Sequence, residues 1–249
     1  MQNTFLPFAP VELQPLQTPD GNKSSRQSVV LDPEGERFEA GVVSNDYRLI
    51  PNADVVQVAE DILKQSQLEY NDHQTMFDGK RFRRRYVVNQ LQGEVRVGDT
   101  VAVVMDARNS YDGSSTFGLE FNAMRLVCSN GLQISFMLGG FRFKHWGDRD
   151  FESEMLNASE NLLKVQNRMQ VVMPLLTEMT RKRIKRVDIQ QFFQEAKLPI
   201  TVQAKIFNSI EEDNRWMLYQ AATDVLTKQE SFSAENLNRR VSQYFLSRN

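Results

Sequence analysis

The chain has 249 residues and a mass of 28.8 kDa, with 41% hydrophobic and 25% charged residues and a mean hydropathy of −0.48. That is ordinary globular composition, long enough for one large domain or two small ones. A single Cys excludes a disulfide framework and a multi-Cys zinc site, and two His leave few imidazole-based metal or catalytic arrangements.

No apolar run approaches the roughly 18 residues of a membrane span. The start, Met1-Gln-Asn-Thr-Phe-Leu-Pro7, lacks the basic opening and apolar core of a signal peptide. A soluble, cytoplasmic protein without a membrane partner is expected. The formal net charge of −2 hides an asymmetry. Residues 1–79 carry 5 Lys/Arg against 13 Asp/Glu, residues 80–150 carry 11 against 7, and residues 151–249 carry 14 against 12. An acidic first third ahead of a basic remainder points to a polyanionic partner. The cations are also bunched: Lys80–Arg85 and Arg181–Arg186 hold 10 of the 30.

Residues 1–45 contain five of the eight prolines (Pro7, Pro10, Pro15, Pro19, Pro33), a polar Gly21–Ser25 stretch and no sustained periodicity. They read as an extended or flexible arm that buries little apolar surface, with Phe5, Leu6, Phe8, Val11 and Leu13 as anchors against a neighbour. A helix is predicted over 54–68, capped by Asn52 or Asp54, with Val55, Val58, Ala59, Ile62 and Leu63 on one face. Residues 71–80 read as a turn-rich connection.

From 80 to 146 the period falls to two. Arg81, Arg83 and Arg85 alternate with Phe82, Arg84 and Tyr86, and the β-branched run 95–104 follows. A turn at Asn109–Gly113 precedes the alternation of Phe117, Leu119 and Phe121, and Ser129-Asn-Gly131 is a hairpin turn. Residues 132–137 and 141–146 complete an antiparallel meander of five or six strands.

After Asp148 the pattern is helical. Met155, Leu162, Val165, Met169, Val172, Leu176 and Met179 form one stripe over seven turns, with Pro174 off it. Shorter helices are predicted over 188–197, over 201–226 with a break near Ile210, and over 233–246. The expected architecture is α+β: a curved antiparallel meander packed against a long helix. Three regions divide it, the arm at 1–45, the α+β core at 46–180 and the helical C-terminal region at 181–249.

Enzyme signatures are missing from the sequence. It contains no GxxxxGK[ST] phosphate loop, no GxGxxG after a strand, no HExxH and no GxSxG. His73 and His145 read as structural or solvated, and Cys128 as a small buried hydrophobe. Asp99, Asp106, Asp112 and Glu120 are scattered through the predicted sheet, and a metal-dependent nuclease is conceivable from them, but their spacing singles out no pair. No cofactor is expected.

The basic strand is the sharper signal. Arg81, Arg83 and Arg85 share one face in a strand, with Phe82, Arg84 and Tyr86 on the other. Closely spaced cations neutralise successive phosphates, and aromatic rings give exposed bases a stacking platform. Phe141-Arg-Phe-Lys-His-Trp146 repeats the mixture. The competing reading is a charged strand edge that discourages aggregation. For Arg181–Arg186 the competing reading is stronger, because cations complement the C-terminal dipole of the preceding helix.

Arg125-Leu-Val-Cys-Ser-Asn-Gly-Leu132, preceded by Asn109-Ser-Tyr-Asp-Gly-Ser114, resembles an uncharacterised family of phage, prophage and plasmid proteins. Arg215-Trp-Met-Leu-Tyr-Gln-Ala-Ala-Thr-Asp-Val-Leu226 is similar to that family's C-terminal helical segment, and the resemblance covers roughly 45–230. At the level of fold, a curved sheet crossed by one long helix looks like the Rad-type and Red-beta/RecT single-strand annealing proteins. That likeness implies ring or filament assembly, a basic groove for single-stranded DNA and no need for a nucleotide.

The leading expectation is therefore an ATP-independent protein of phage or plasmid recombination that binds and anneals single-stranded DNA in a bacterial cytoplasm. It would act as a homo-oligomer beside phage or host replication proteins. The candidate DNA contacts are Lys80, Arg81, Arg83, Arg84, Arg85, Tyr86, Arg142 and Lys144. The rivals are a regulatory or counter-defence protein docking a host surface through its acidic third, and the metal-dependent nuclease.

Overall fold

The computed structural model describes residues 6–32, 37–126, 130–132, 135–143 and 151–247. Within it the first 45 residues are not an extended arm. Strands β1 (Val11–Gln17), β2 (Lys23–Leu31) and β3 (Phe38–Ser44) form an antiparallel sheet in that order. The prolines are accommodated rather than avoided. Pro15 lies in an edge strand, where the register shifts between Pro15 and Gln17, and an edge or bulge is where a strand tolerates a residue without an N–H. The apolar side chains Val29, Leu31, Ala40 and Val43 meet Tyr47 and Tyr111 in a buried cluster, flanked by Val11, Leu13 and Phe38.

Helix α1 (Asn52–Gln65) buries Val55, Val58, Ala59, Ile62 and Leu63, the face its spacing predicts. Its N-cap is Pro51, one residue before Asn52 and three before Asp54, the two expected caps. Asn52 is instead a buried junction: its N–H donates to the Tyr111 hydroxyl (2.9 Å), its Nδ2 to the Pro7 carbonyl (2.8 Å), and its Oδ1 accepts from Asn109 Nδ2 (2.9 Å). Tyr47 extends the junction by donating to the Ser110 carbonyl at 2.6 Å. Burial pushes the Tyr111 hydroxyl up to about 12.

The second sheet runs β4 (Tyr70–Phe77), β5 (Arg81–Arg96), β6 (Asp99–Ser110), β7 (Phe117–Arg125) and β8 (Asn130–Leu132), with β9 (Gly140–Phe143) also paired to β7. The antiparallel sheet expected over 80–146 is present, with Asn130 and Gly131 of the predicted hairpin turn falling inside β8. Two further details differ. Residues 70–77, expected as a connection, form an edge strand, and 135–138, expected within a strand, form the single-turn helix α2 (Ser135–Leu138). Residues 144–146 of the last predicted strand lie outside the described residues.

Helix α3 (Phe151–Arg181) continues through Pro174, and Val165, Met169, Val172, Leu176 and Met179 of the predicted stripe are all buried. The side chains of Met155 and Leu162 lie outside the described set. Gly139, at φ 93°, leaves room for Arg168, which donates to the Leu138 carbonyl at 2.7 Å. The chain ends with α4 (Arg186–Glu195), α5 (Ile200–Asn208), α6 (Arg215–Thr227) and α7 (Phe232–Leu246). The predicted break near Ile210 is the α5–α6 turn. Ser231, two residues before the expected start signal, caps α7 by accepting from Ala234 N at 3.1 Å. The fold class is α+β, with the helices gathered toward the C-terminus. Among the described residues no helix is long and apolar enough to cross a membrane.

The chain divides into two compact units. One comprises Met1–Tyr86, Met105–Glu120 and Gly140–Leu162, and the other Val87–Val104, Phe121–Gly139 and Leu163–Asn249. That division cuts across the expected boundaries at 45 and 180, because β5, β6, β7 and α3 each contribute residues to both. The second unit has an aromatic core: Phe192 lies 5.1 Å from Phe245, and Tyr219 4.9 Å from Phe245. Its Trp216 is fully buried and donates to Asp99 Oδ2 at 2.9 Å.

Candidate nucleic-acid interface

The two cationic clusters have opposite fates. In β5 the alternation is as expected, but both faces are covered. Arg83 and Arg85 are 3% and 1% exposed, and Phe82 and Tyr86 on the other face are buried as well. Arg85 forms a two-pronged bond to Asp106, Nε to Oδ1 at 2.6 Å and Nη2 to Oδ2 at 2.8 Å. Arg83 donates to Gln74 Oε1 at 2.5 Å and contacts Met76 Sδ. The row continues across the sheet: Arg108 faces Asp106 at 3.7 Å and Glu120 at 3.1 Å, and Arg142 reaches Glu120 at 2.7 Å.

This is an internal salt-bridge ladder. Burial alone would raise the Asp106 carboxyl, but the charge and bonds of Arg85, with Arg83 and Arg108 beyond it, hold it well below the usual carboxylate range. Partial burial, then the Arg85 and Arg83 charges, lower the pKa of His73 against the opposing pull of Asp106.

Burial therefore leaves no room for a phosphate at Arg83 or Arg85, and no ring face for a base at Tyr86. The tyrosine sits edge-on to Tyr70 at 5.6 Å, under the Arg84 guanidinium. Arg84 pairs with Asp72 and faces Glu60, and Arg81 pairs with Asp78 at 2.7 Å. Lys80 is exposed, and the Arg142 side chain is 60% exposed beside Glu120. Lys144 lies outside the described residues, as do His145 and Cys128. Three of the four carboxylates weighed for a nuclease are committed: Asp99 pairs with Arg125 and takes the Trp216 N–H, while Asp106 and Glu120 belong to the ladder. The fourth, Asp112, accepts from Ser114 N–H at 2.9 Å in the β6–β7 turn. Among the described residues no group of His, Cys, Asp and Glu gathers as a metal site.

The second cluster is the open one. Between α3 and α4 the chain is pinned by a short antiparallel bridge: Arg215 N–H donates to the Lys182 carbonyl (2.8 Å), Ile184 N–H to the Asp213 carbonyl (3.1 Å), and Arg183 pairs with Asn214. That ladder fixes the backbone and leaves the side chains in solvent. Arg181, Arg183, Lys185 and Arg186 are all exposed and make no ion pair among the described residues. Lys182 alone pairs locally, with Glu178 at 2.8 Å.

Beside this segment lies a cleft of about 580 Å³ bounded by Lys182, Arg183, Asp188, Arg215 and Tyr244, with Leu218 and Phe245 at its base. Asp188 is already occupied in closing the first turn of α4, where its Oδ2 accepts from Lys185 N–H at 2.7 Å. The sequence offered one sign of this site, the cationic run itself. Arg215 and Tyr244 arrive from α6 and α7, 29 and more residues along the chain, so spacing could not reveal them.

These features define a class: an α+β protein whose antiparallel sheet carries a buried charge ladder and whose helical end displays an exposed basic segment. The chain belongs to the DUF932 family, described as a domain of unknown function, which it matches over residues 39–244. No curated protein and no solved structure matches it.

Proposed function

We propose that the protein binds single-stranded DNA without a nucleotide and promotes the annealing of complementary strands, in phage or plasmid recombination or replication. The observation that carries this reading is the run Arg181, Arg183, Lys185 and Arg186: four exposed cations within six residues, none in a close ion pair among the described residues, although Arg181 feels the charge of Glu178. Like charges so close repel each other, and a polyanion that neutralises them gains by counterion release. A neighbouring cleft with a half-exposed tyrosine adds a surface for unpaired bases, which duplex DNA does not present.

The phosphate contacts in this proposal are Arg181, Arg183, Lys185 and Arg186. Several protomers along one strand would sum modest contacts into tight binding and hold bases extended for pairing. The test is fluorescence anisotropy on a labelled 30-mer, single-stranded and duplex, without ATP. The wild type should prefer the single strand. Substitution of the four cations by Gln should abolish most of that binding without changing the melting temperature. Equal binding by the variant would reject this surface as the interface.

A further inference from the structure

We infer that the cleft between the 182–184 segment, α4, α6 and α7 is a one-nucleotide subsite. A phosphodiester sits between Arg183 and Arg215, and the adjoining unpaired base lies against Tyr244. The inference rests on the single-strand-binding reading and adds to it a chemical distinction: base and phosphate are recognised by different side chains.

Arg215 is the central group. Its guanidinium stands 5.9 Å from the Tyr244 ring centre and 5.4 Å from that of Phe245, and its Nη2 donates to the Phe245 carbonyl at 3.1 Å. Its Nε is buried and has no hydrogen-bond partner among the described residues. An arginine fixed on aromatic faces is pre-ordered for a planar or tetrahedral oxyanion, which its terminal guanidinium nitrogens, rather than the buried Nε, would meet. Arg183 brings a second cation to the same rim, held there by the bridge to Asn214. Lys182 adds little because Glu178 already takes its charge, and Asp188 contributes a negative charge that its capping bond partly absorbs.

The walls differ from the rim. Phe245 and Leu218 are buried and give the cleft an apolar floor, while Tyr244 is half-buried and packs 5.1 Å from Phe192, which steadies its ring. A volume of about 580 Å³ falls in the range of about 300–1,000 Å³ that holds small organic ligands. Two cations at the rim and an aromatic wall above an apolar floor suit a nucleotide better than an inorganic anion, which has no use for the ring, or an apolar helix, which has no use for the cations.

The test compares two fluorescein-labelled strands of equal length, oligo-dT and an oligomer of abasic sites, binding to the full chain and to Tyr244→Leu, Tyr244→Phe and Arg183→Gln. Tyr244→Leu should weaken oligo-dT binding about tenfold, the loss of one stacked base, and leave the abasic strand unaffected. Tyr244→Phe should restore oligo-dT affinity, which separates stacking from a general loss of packing. Arg183→Gln should weaken both strands to a similar degree. If Tyr244→Leu changes neither strand, or both equally, the base subsite is wrong and the broader single-strand reading stands. If the wild type binds neither strand, both fall. An oligo-U strand in parallel reports whether the same subsite prefers DNA or RNA.

Discussion

Replacing Arg85 by Met tests whether the β5 arginines hold the fold rather than a ligand. The substitution keeps most of the side-chain volume and removes both bonds to Asp106, at 2.6 and 2.8 Å, from a carboxylate that is 0% exposed. Arg108, 3.7 Å away, offsets only part of the loss. Breaking a buried pair from one side costs about 3–5 kcal/mol, because the remaining charge is stranded. With a urea slope of about 2 kcal/mol/M, the unfolding midpoint should fall by about 2 M. The pair Arg85→Met/Asp106→Leu should recover much of that loss, giving a coupling of about 2 kcal/mol in a double-mutant cycle. The pH dependence supplies an independent check. In the wild type the depressed Asp106 pKa adds stability above the unfolded carboxylate value of about 4, lost as pH falls toward the folded value. In Arg85→Met the stranded carboxyl prefers to be protonated, so its deficit against wild type should shrink between pH 7 and 4. A midpoint within about 0.5 M of wild type, with unchanged pH dependence, would refute the structural role given to the ladder.

Three further predictions concern other parts of the chain. Asn52→Ala removes the two side-chain hydrogen bonds of the buried junction, stranding the Pro7 carbonyl and leaving Asn109 with only its bond to the Ile50 carbonyl, while the backbone bond to Tyr111 stays; calorimetry should show a loss of about 1–3 kcal/mol, the cost of a stranded buried group. The His73 imidazole should titrate below the ordinary value of about 6.5 in NMR spectra, and Arg85→Met should move it upward by removing the positive charge that lowers it most. Because the neutral ring is favoured in the fold, His73 contributes stability above its unfolded pKa that is lost on acidification. Gly41→Ala places a Cβ 2.8 Å from the Asp112 Cα, a contact the backbone must move to relieve, so its melting temperature should drop by several degrees.

What the sequence revealed depended on whether a pattern was local. The α3 stripe was legible because its 3.6-residue period is unbroken, and Val165 to Met179 are buried where it placed them. Strand β4 was not legible: Tyr70–Phe77 is an edge strand of mostly polar residues, so no alternation marks it. Across residues 1–45 the prolines suggested an extended arm, yet in β1 an edge strand with a register shift absorbs Pro15. The arginine strand shows the limit most clearly. Its period of two was correct, but a period reports which residues share a face and not what covers that face. The groups that cover it, Gln74 and Met76 of β4 and Asp106 of β6, come from two other strands. The more exposed run at Arg181–Arg186 read equally as polyanion binding or as complementation of a helix end, and only the bridge to 213–215 shows its side chains held in solvent beside a cleft.

The central claim is that exposed cations at the α3–α4 junction bind single-stranded DNA. The most direct measurement is the affinity of a labelled single strand between 50 and 200 mM salt, for wild type and for the variant with Arg181, Arg183, Lys185 and Arg186 replaced by Gln. Four phosphate contacts at a slope of about −0.7 each predict roughly a 50-fold loss over that range for the wild type and a nearly flat response for the variant. Salt-insensitive or absent binding by the wild type, or the same slope in both proteins, would contradict the account.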